Sequence, residues 1–313
     1  MLVYLLLILG LVALILGGDW LVKAAVGLAE RWGIPPLIIG LTIVAFGTSA
    51  PELVISIKAA LNDSSGIAVG NVVGSNIANV LLVLGVPALI ARIHYEKNDI
   101  ADSIILMVII SVVFVWQLMN PPLTYLDGLV LLAFLAAFLS LQFYKARKHQ
   151  DSGEDYKDEV GNVPSSMPII LGFLVAGLVA LPLGANLTVN SAVEIAKQLN
   201  VSDEVIGLTI IAIGTSLPEL ATGIMAARHN NASVGVGNVI GSNVFNIAAI
   251  MGITALVTDI DAVPHILALD AWVMLAATAI LVIIPVFHLT IGRRLGALLL
   301  ALYIAYLATT ALL

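Results

Sequence analysis

One stretch of sequence, IGLTIVAFGTSAPELVISIKAA at positions 39–60, returns 167 positions later as IGLTIIAIGTSLPELATGIMAA at positions 206–227. Of the 22 aligned positions, 15 are identical. A second block, VGNVVGSNIANVLLVLGV at 69–86, returns at the same offset as VGNVIGSNVFNIAAIMGI at 236–253. Two blocks that share one offset indicate that a single unit is written twice in this chain.

The composition is that of a membrane protein. The chain has 313 residues, of which 60% are hydrophobic and 11% charged, and its mean hydropathy is +1.09. A soluble domain of this size does not carry so much apolar surface. The net charge of −7 is spread over loops and indicates no nucleic-acid partner. We therefore expect the lipid bilayer as the main partner, with no obligate protein partner. The absence of cysteine removes disulfides and thiolate ligands.

Apolar segments of about 20 residues, long enough to cross a bilayer as helices, occur throughout the chain. They predict an all-α membrane protein with ten transmembrane helices, five in each copy of the repeat. The predicted helices lie near 2–28, 36–61, 67–91, 100–118, 123–145, 168–197, 203–227, 234–257, 267–287 and 293–312.

The two copies are expected to have opposite orientations in the membrane. An odd number of helices in the first copy makes the second copy enter from the other side, which is the inverted repeat typical of secondary transporters. We divide the chain into a first five-helix repeat at 1–145, a linker at 146–167 and a second five-helix repeat at 168–313. The polar sequence KARKHQDSGEDYKDEVGNVPSS at 145–166 is that of a solvated, flexible connection.

The basic residues predict the orientation, because lysine and arginine accumulate on the cytoplasmic side of membrane proteins. Only Lys58 and Lys197 fall on one side of the predicted topology, and Lys23 lies within a helix. We therefore expect a multi-pass protein of the cell membrane with a cytoplasmic linker and both termini outside. The basic residues on the cytoplasmic side are Arg31, Arg92, Lys97, Lys145, Arg147, Lys148, Lys157, Arg228, Arg293 and Arg294.

Each of the longer blocks places a helix breaker next to a glutamate, in GTSAPE at 47–52 and GTSLPE at 214–219. Proline inside a helix removes a backbone hydrogen bond and clashes with the preceding turn. The pattern predicts a helix interrupted near the bilayer midplane, where unwound backbone is tolerated only if it is buried or lines a cavity. A carboxylate at the start of the second half gains from the helix dipole.

Glu52 and Glu219 are therefore the leading candidates for an ion site. Two carboxylates that meet at the repeat axis match the charge of a divalent cation, and Ca²⁺ prefers carboxylate, carbonyl and hydroxyl oxygens. Neither block contains histidine or cysteine, which disfavours zinc and copper. The structural alternative is a protonated glutamate hydrogen-bonded between helices.

Hydroxyl residues adjoin both glutamates, where they either join the site or bond to a carbonyl one turn earlier. We expect them to contribute oxygens to the site, partly through the backbone. They are Thr48, Ser49, Thr215 and Ser216.

The second blocks carry serine and asparagine residues one helical turn apart, which therefore share a face that can point at the glutamates. We expect Ser75 and Asn79, with their counterparts Ser242 and Asn246, to contribute to the site. The remaining asparagines are expected to join helices by hydrogen bonds. These are Asn71, Asn76, Asn238 and Asn243.

Asp19 and Lys23 lie four residues apart on the first helix and are expected to form an ion pair. At the repeat offset, the sixth helix carries Asn186 and Asn190. Because polar residues occur at matching positions of the first and sixth helices, these two helices are our candidates for the part that slides across the site.

The two blocks resemble the α-repeats of the calcium/cation antiporter superfamily, specifically its sodium/calcium exchanger branch of the prokaryotic type. The duplicated G-T-S-x-P-E and G-S-N-x-x-N patterns carry the resemblance, which extends over nearly the whole chain. The proton-coupled branch has G-N-x-x-E around its glutamate, which neither interrupted helix contains. The resemblance implies an antiporter that exchanges Na⁺ for Ca²⁺. It implies no enzyme activity and no cofactor beyond the transported ions.

By position, the resemblance implies that Glu52 and Glu219 are ligands shared by Ca²⁺ and Na⁺, and that Thr48 and Thr215 supply oxygens to Ca²⁺. Potassium-dependent relatives carry an aspartate where this chain has one of two central asparagines, which implies potassium independence. The remaining implied ligands are the Ala45 and Ala212 carbonyls with Ser49, Ser75, Ser216 and Ser242 for Na⁺, and Asn79 and Asn246 in the middle of the site.

The residues by themselves leave other functions open. A proton/calcium antiporter would need only that the glutamates exchange protons at the working pH. A cation channel could use paired glutamates, but a single midplane site between inverted repeats is more typical of alternating access. An intramembrane enzyme would need a nucleophile–base pair or an HExxH motif, and the sequence contains neither.

Overall fold

The computed structural model describes residues 2–93, 97–152, 166–199, 201, 210, 212–261, 264–287 and 290–310, and this part of the chain is built from helices. A short helical turn, Ala212–Gly214, precedes α8. The helices are α1 (Leu2–Trp32), α2 (Pro36–Thr48), α3 (Ala50–Leu61), α4 (Ser65–Ile90), α5 (Lys97–Leu118), α6 (Tyr125–Ser152), α7 (Met167–Gln198), α8 (Leu217–Arg228), α9 (Ala232–Val257), α10 (Ile266–Val286) and α11 (Arg293–Thr310).

The helices identify a multi-pass membrane protein. Seven described helices are long and apolar enough to cross a bilayer, or eight if the bent pair α2 and α3 counts as one span. The helix predicted at 203–227 lies partly outside the described residues, which resume with the turn before α8. Residues 153–165 of the predicted linker are also outside them.

Both predicted helix breaks are present, at equivalent positions of the two repeats. Ser49 leaves the helical conformation with φ −84° and ψ 0°, and α3 then starts at Ala50 with Pro51 in its first turn. Ser216 does the same with φ −88° and ψ 5° before α8. The bend between α2 and α3 is 43°. The N–H groups of the first helical positions have no intrahelical hydrogen bond, so a proline there loses none. The same proline therefore ends α2 and fits the start of α3.

The helices α1 and α7 pack against each other in antiparallel directions through small residues. A Cβ added to Gly10 would lie 3.0 Å from the Gly184 carbonyl oxygen, and one added to Gly177 would lie 2.9 Å from the Gly17 carbonyl oxygen. Close approach of this kind allows helices to associate in a membrane, where no hydrophobic effect drives them together. The sequence pattern of glycines therefore sets the distance between the first helices of the two repeats.

The second-block helices α4 and α9 form the centre of the molecule. Most of α9 is buried, and Gly237 and Gly241 lie against the backbone of α2 at Leu37 and Leu41. Each helix contains a π-helical turn, at Asn79–Val83 in α4 and at Phe245–Met251 in α9. Single π-helical turns are frequent at functional sites because they re-aim side chains and free backbone groups.

The helix predicted at 123–145 is longer than expected, because α6 continues past position 145 to Ser152. Lysine, arginine and glutamine are good helix formers, so a polar sequence can extend an apolar helix beyond the bilayer. An ion pair between Lys145 Nζ and Asp102 Oδ2, at 3.0 Å, ties this part of α6 to α5.

Candidate ion site

Each of the two glutamates lies in the first turn of the helix that follows a break. Glu52 is in the first turn of α3 and Glu219 in the first turn of α8, and both residues are only 1% exposed. The free N–H groups of a helix start favour negative charge. The break therefore provides a buried position at which a carboxylate can be held.

The structure brings together two glutamates that lie in different halves of the chain. Their carboxyl groups are close enough for their charges to interact, and that of Glu219 also lies beside the hydroxyls of Thr48 and Ser49. Hydroxyls of the first repeat thus stand next to the carboxylate of the second. The site is built between the repeats.

A small polar network continues from Thr48 into α9. Thr48 Oγ1 lies 3.2 Å from Asn238 Oδ1 and 3.5 Å from Ser242 Oγ, and Ser242 Oγ donates to Asn238 Oδ1 at 3.3 Å. Thr48 Oγ1 is also 3.4 Å from the Ala45 carbonyl oxygen, which accepts the Ser49 N–H at 3.1 Å. Four of the expected site residues therefore meet in one place.

The asparagines of α4 and α9 bond to each other across the repeat axis. Asn79 Nδ2 donates to Asn243 Oδ1 at 3.2 Å, and Asn246 Nδ2 donates to Asn76 Oδ1 at 3.0 Å. These are equivalent bonds of the two repeats. The Oδ1 atoms of Asn79 and Asn246 are left buried without a hydrogen-bond partner among the described residues.

The expected joining role of the other four asparagines is confirmed by bonds between helices. Asn71 Nδ2 on α4 donates to Ser56 Oγ and to the Glu52 carbonyl on α3, at 3.0 and 3.3 Å. Asn238 accepts from α2, while Asn76 donates to the Asn243 carbonyl at 3.3 Å. The expectation underestimated Asn238, because it shares the network of Thr48 and Ser242 directly.

The site concentrates buried oxygens that have no hydrogen-bond partner in the described part of the chain. A buried oxygen without a partner is costly, and native proteins contain few. Their concentration in the two repeated blocks points to a cation as the missing partner. They are Ser49 Oγ, both carboxylate oxygens of Glu52, Ser75 Oγ, Asn79 Oδ1, Ser216 Oγ, Glu219 Oε2 and Asn246 Oδ1.

Two expected ligands are placed less completely. Thr215 follows the helical turn Ala212–Gly214 and is only partly buried. For Ala212 the backbone is described, and its side chain is outside the description.

Three residues that the sequence did not single out also contact the asparagines. They are Ser56, which accepts a hydrogen bond from Asn71, and the methionines Met107 and Met274. These thioethers lie 3.8 Å from Asn243 Nδ2 and Asn76 Nδ2. The methionines are 167 positions apart, so extending the repeat offset past the second block would have found them.

The donor set decides which chemistry the site can support. It consists of two carboxylates with neutral hydroxyl, amide and carbonyl oxygens, which suits a hard cation. Within the described residues, no group of three or more His, Cys, Asp or Glu side chains is arranged to hold a metal ion. A buried oxygen site at duplicated helix breaks, in a multi-pass helical protein, defines a membrane cation transporter.

Comparison with known proteins gives the family. The family model of the sodium/calcium exchanger protein matches residues 2–144 and 169–312, once in each half of the chain. This chain belongs to that family of cation exchangers, which are transporters and not enzymes.

Relatives cover nearly the whole chain. The inner membrane protein YrbG of Escherichia coli K12 is 37% identical over 97% of this chain and 95% of its own length. The sodium/calcium exchanger MaX1 of Methanosarcina acetivorans is 34% identical, with 97% of each chain covered. A solved structure of the sodium-calcium exchanger NCX_Mj superposes with a TM-score of 0.82 at 34% identity, covering 99% of both chains.

Proposed function

We propose that this protein exchanges Na⁺ for Ca²⁺ across the membrane by alternating access, independently of K⁺. The observation that carries the proposal is the pair of buried glutamates, one from each repeat, surrounded by oxygens without hydrogen-bond partners. The names of MaX1 and NCX_Mj support Na⁺ and Ca²⁺ as the ions. The sodium-calcium exchanger NCX_Mj was soaked with Na⁺ and Ca²⁺ for one solved structure and with Na⁺ and Sr²⁺ for another.

The proposed ligands divide between the two ions. Glu52 and Glu219 bind whichever ion is present, and Thr48 and Thr215 add oxygens for Ca²⁺. Asn79 and Asn246 line the middle of the site. The Na⁺ positions are completed by the Ala45 and Ala212 carbonyls with Ser49, Ser75, Ser216 and Ser242.

Coupling follows from the cost of buried charge. Ca²⁺ and several Na⁺ would compete for the same two carboxylates, so they occupy the site in turn. A loaded site has its charge compensated, whereas an empty site leaves two carboxylates uncompensated in a medium of low dielectric constant. An empty transporter therefore changes conformation at a higher cost than a loaded one, and this difference enforces exchange.

We also propose the ten-helix architecture of two inverted five-helix repeats, at 1–145 and 168–313, with the linker at 146–167. Equivalent helices run in opposite directions, as a two-fold axis in the membrane plane requires. In α1 and α7, Gly10 meets Gly184 while Gly17 meets Gly177. In α4 and α9, Asn76 meets Asn246 while Asn79 meets Asn243. The helix breaks would then lie at one depth, near the bilayer midplane.

The proposed location is the cell membrane, with the linker in the cytoplasm and both termini outside. The distribution of basic residues supports this orientation. The relative YrbG is an inner membrane protein.

Potassium independence rests on the charge of the site. Asn79 and Asn246 are both neutral, so the site has two carboxylates and no third charge for an additional cation. The chain is also similar to a protein whose name includes potassium: the sodium/potassium/calcium exchanger 3 of Homo sapiens is 37% identical over 28% of this chain. The two exchange modes therefore need a direct test.

The test is radioactive calcium uptake into proteoliposomes that contain the purified protein. The vesicles carry an outward Na⁺ gradient, with and without K⁺, or a pH gradient alone. We expect uptake with the Na⁺ gradient and no requirement for K⁺. Uptake only with the pH gradient would replace the proposal by proton/calcium exchange, and a requirement for K⁺ would remove potassium independence.

A further inference from the structure

The repeats are equivalent in sequence but differ in how their helices are covered. In α8 the face that leads away from Glu219 is covered by α1. Gly18 of α1 lies against Ala221, and Met225 is 7% exposed in the same apolar cluster as Leu21. Between α7 and α3, all of whose residues the structure describes, no such packing is present. The helix α1 therefore covers this face of α8.

The equivalent face of α3 is uncovered. Lys58 takes the position of Met225 and is exposed, and Val54, which takes the position of Ala221, is 51% exposed. A lysine within an otherwise apolar segment suits a wet passage, because burying its charge in lipid is costly. This face of α8 is thus covered, whereas the equivalent face of α3 is exposed.

A charged cluster joins α1 to the end of α8. Asp19 on α1 accepts from His229 Nε2 at 2.7 Å, just beyond the end of α8, and from Lys23 Nζ at 2.9 Å. The Asp19 side chain is 17% exposed, so these bonds are partly shielded from water. Charge-assisted bonds of this length are stronger than bonds between neutral groups. The contact joins the helix proposed to slide with a helix that carries a site glutamate.

The other repeat has neutral residues in the same places. At the offset of 167, Asp19 corresponds to Asn186, Lys23 to Asn190 and His229 to Asn62. Asn186 and Asn190 are exposed and bond to each other at 2.7 Å, while Asn62 donates to the Lys58 carbonyl at 2.8 Å. The neutral set is not joined across α7 and α3 in this structure.

We propose that Asp19, Lys23 and His229 form a latch that holds α1 over this face of α8. The sliding of α1 and α7 must break the latch and bring Asn186 toward Asn62, because the repeats exchange roles. A charged latch on one side and amides on the other then favour the conformation seen here. The three residues are positioning residues: they act on transport through α1 and do not touch the ions. This inference rests on alternating access as the proposed function.

The test uses two single-cysteine reporters, which the absence of natural cysteine makes possible. Met225→Cys reports on the covered face of α8 and Lys58→Cys on the exposed face of α3, at equivalent positions. The rate of maleimide modification is measured for each reporter in the purified protein. The variant pair Asp19→Asn with His229→Asn gives the latch the residues of the other repeat.

With the latch removed, we expect modification of Met225→Cys to become at least threefold faster and that of Lys58→Cys at least threefold slower. The reverse variant, Asn62→His with Asn186→Asp, adds a charged contact that can form only in the other conformation, so both rates should shift in the same direction as when the latch is removed. Unchanged rates would overturn the proposal. A faster rate at Met225→Cys with no change at Lys58→Cys would also overturn it, because local loosening of α8 affects only one reporter. Modification rates need no transport, so failure of Na⁺/Ca²⁺ exchange in vesicles is a separate result.

Discussion

At the scale of single residues, the central feature is that two acidic side chains are buried without a basic partner among the described residues. Glu52 and Glu219 are held at helix starts, and neighbouring hydroxyl and amide groups direct oxygens at the same region. An arrangement of this kind is unstable by itself, because like charges in a medium of low dielectric constant repel strongly. It is suited to binding cations, which remove that repulsion.

Replacing either glutamate by glutamine should therefore abolish exchange. Glu52→Gln and Glu219→Gln keep the shape and remove one charge. Loss of one member of a buried charged set costs about 3 kcal/mol, which corresponds to roughly 100-fold weaker ion binding. Calcium uptake driven by a Na⁺ gradient measures the effect. Glu194→Gln is the control, since Glu194 is exposed on α7 and bonds to Gln198. Full uptake by both site variants would contradict the assignment.

The threonine hydroxyl can be tested with an isosteric change. Thr48→Val removes the Oγ1 atom that lies beside Glu219 and Asn238, and we expect about tenfold weaker Ca²⁺ affinity, or about 1.4 kcal/mol. Thr222→Val is the matched control, because Thr222 is equally buried on α8 and its hydroxyl bonds to the Pro218 carbonyl at 2.8 Å. Affinity is measured by calorimetric titration. Equal losses in both variants would show that Thr48 has only a structural role.

At the scale of helices, the structure depends on close contacts between backbones. Glycine is required where α9 crosses α2, because a Cβ on Gly237 would come within 2.5 Å of the Leu37 carbonyl oxygen. The close approach places Asn238, the next residue, within reach of Thr48. Packing and site geometry are therefore set by the same crossing.

Gly237→Ala should destabilise the protein by about 1–3 kcal/mol, because backbone atoms must move to admit the methyl group. Gly172→Ala is the control, since a Cβ at that position of α7 meets no described atom within 4 Å. Alanine also favours helix over glycine, so the control variant should be as stable as the parent or slightly more stable. Thermal unfolding in detergent measures both. A similar midpoint for the two variants would contradict the packing argument.

At the scale of the whole molecule, the antiparallel packing of equivalent helices is the feature on which the proposed alternating access depends. Two halves with the same fold and opposite directions can exchange roles, so a site on the axis between them is reached from either side. In the proposed cycle, the present structure is one of two arrangements, the one in which α1 covers α8.

The proposed orientation predicts which ends of the molecule can be labelled from outside the cell. A cysteine at Thr310, the last residue of α11, should react with a membrane-impermeant maleimide in intact cells. A cysteine at Ser152, the last residue of α6, should react only after permeabilisation, because basic residues keep that end in the cytoplasm. The sequence contains no cysteine, so labelling of this protein reports only on the introduced residue. The opposite pattern would reverse the proposed orientation.

The repeated blocks, together with the apolar composition, predicted the class of protein and both helix breaks, and they named the residues of the candidate site. Helix breaking by proline and burial of apolar segments are local effects, which neighbouring residues decide. The same locality explains what the sequence could not show. The repeats are nearly identical in these blocks, so local forces treat Asn71 and Asn238, or Lys58 and Met225, as equivalent positions. Only the tertiary structure makes them different.

That difference arises because a single packed arrangement of the helices can form a given contact in only one of the two repeats at a time. In this arrangement Asn238 joins the network of Thr48, while Asn71 bonds to Ser56 on α3. The helix α1 covers one face of α8, while the equivalent face of α3 is not covered by α7. The contact between Asp19 and His229 spans 210 positions and joins two helices that the sequence treats separately. Sequence determined what each repeat is made of, and tertiary packing decided how the two copies divide their roles.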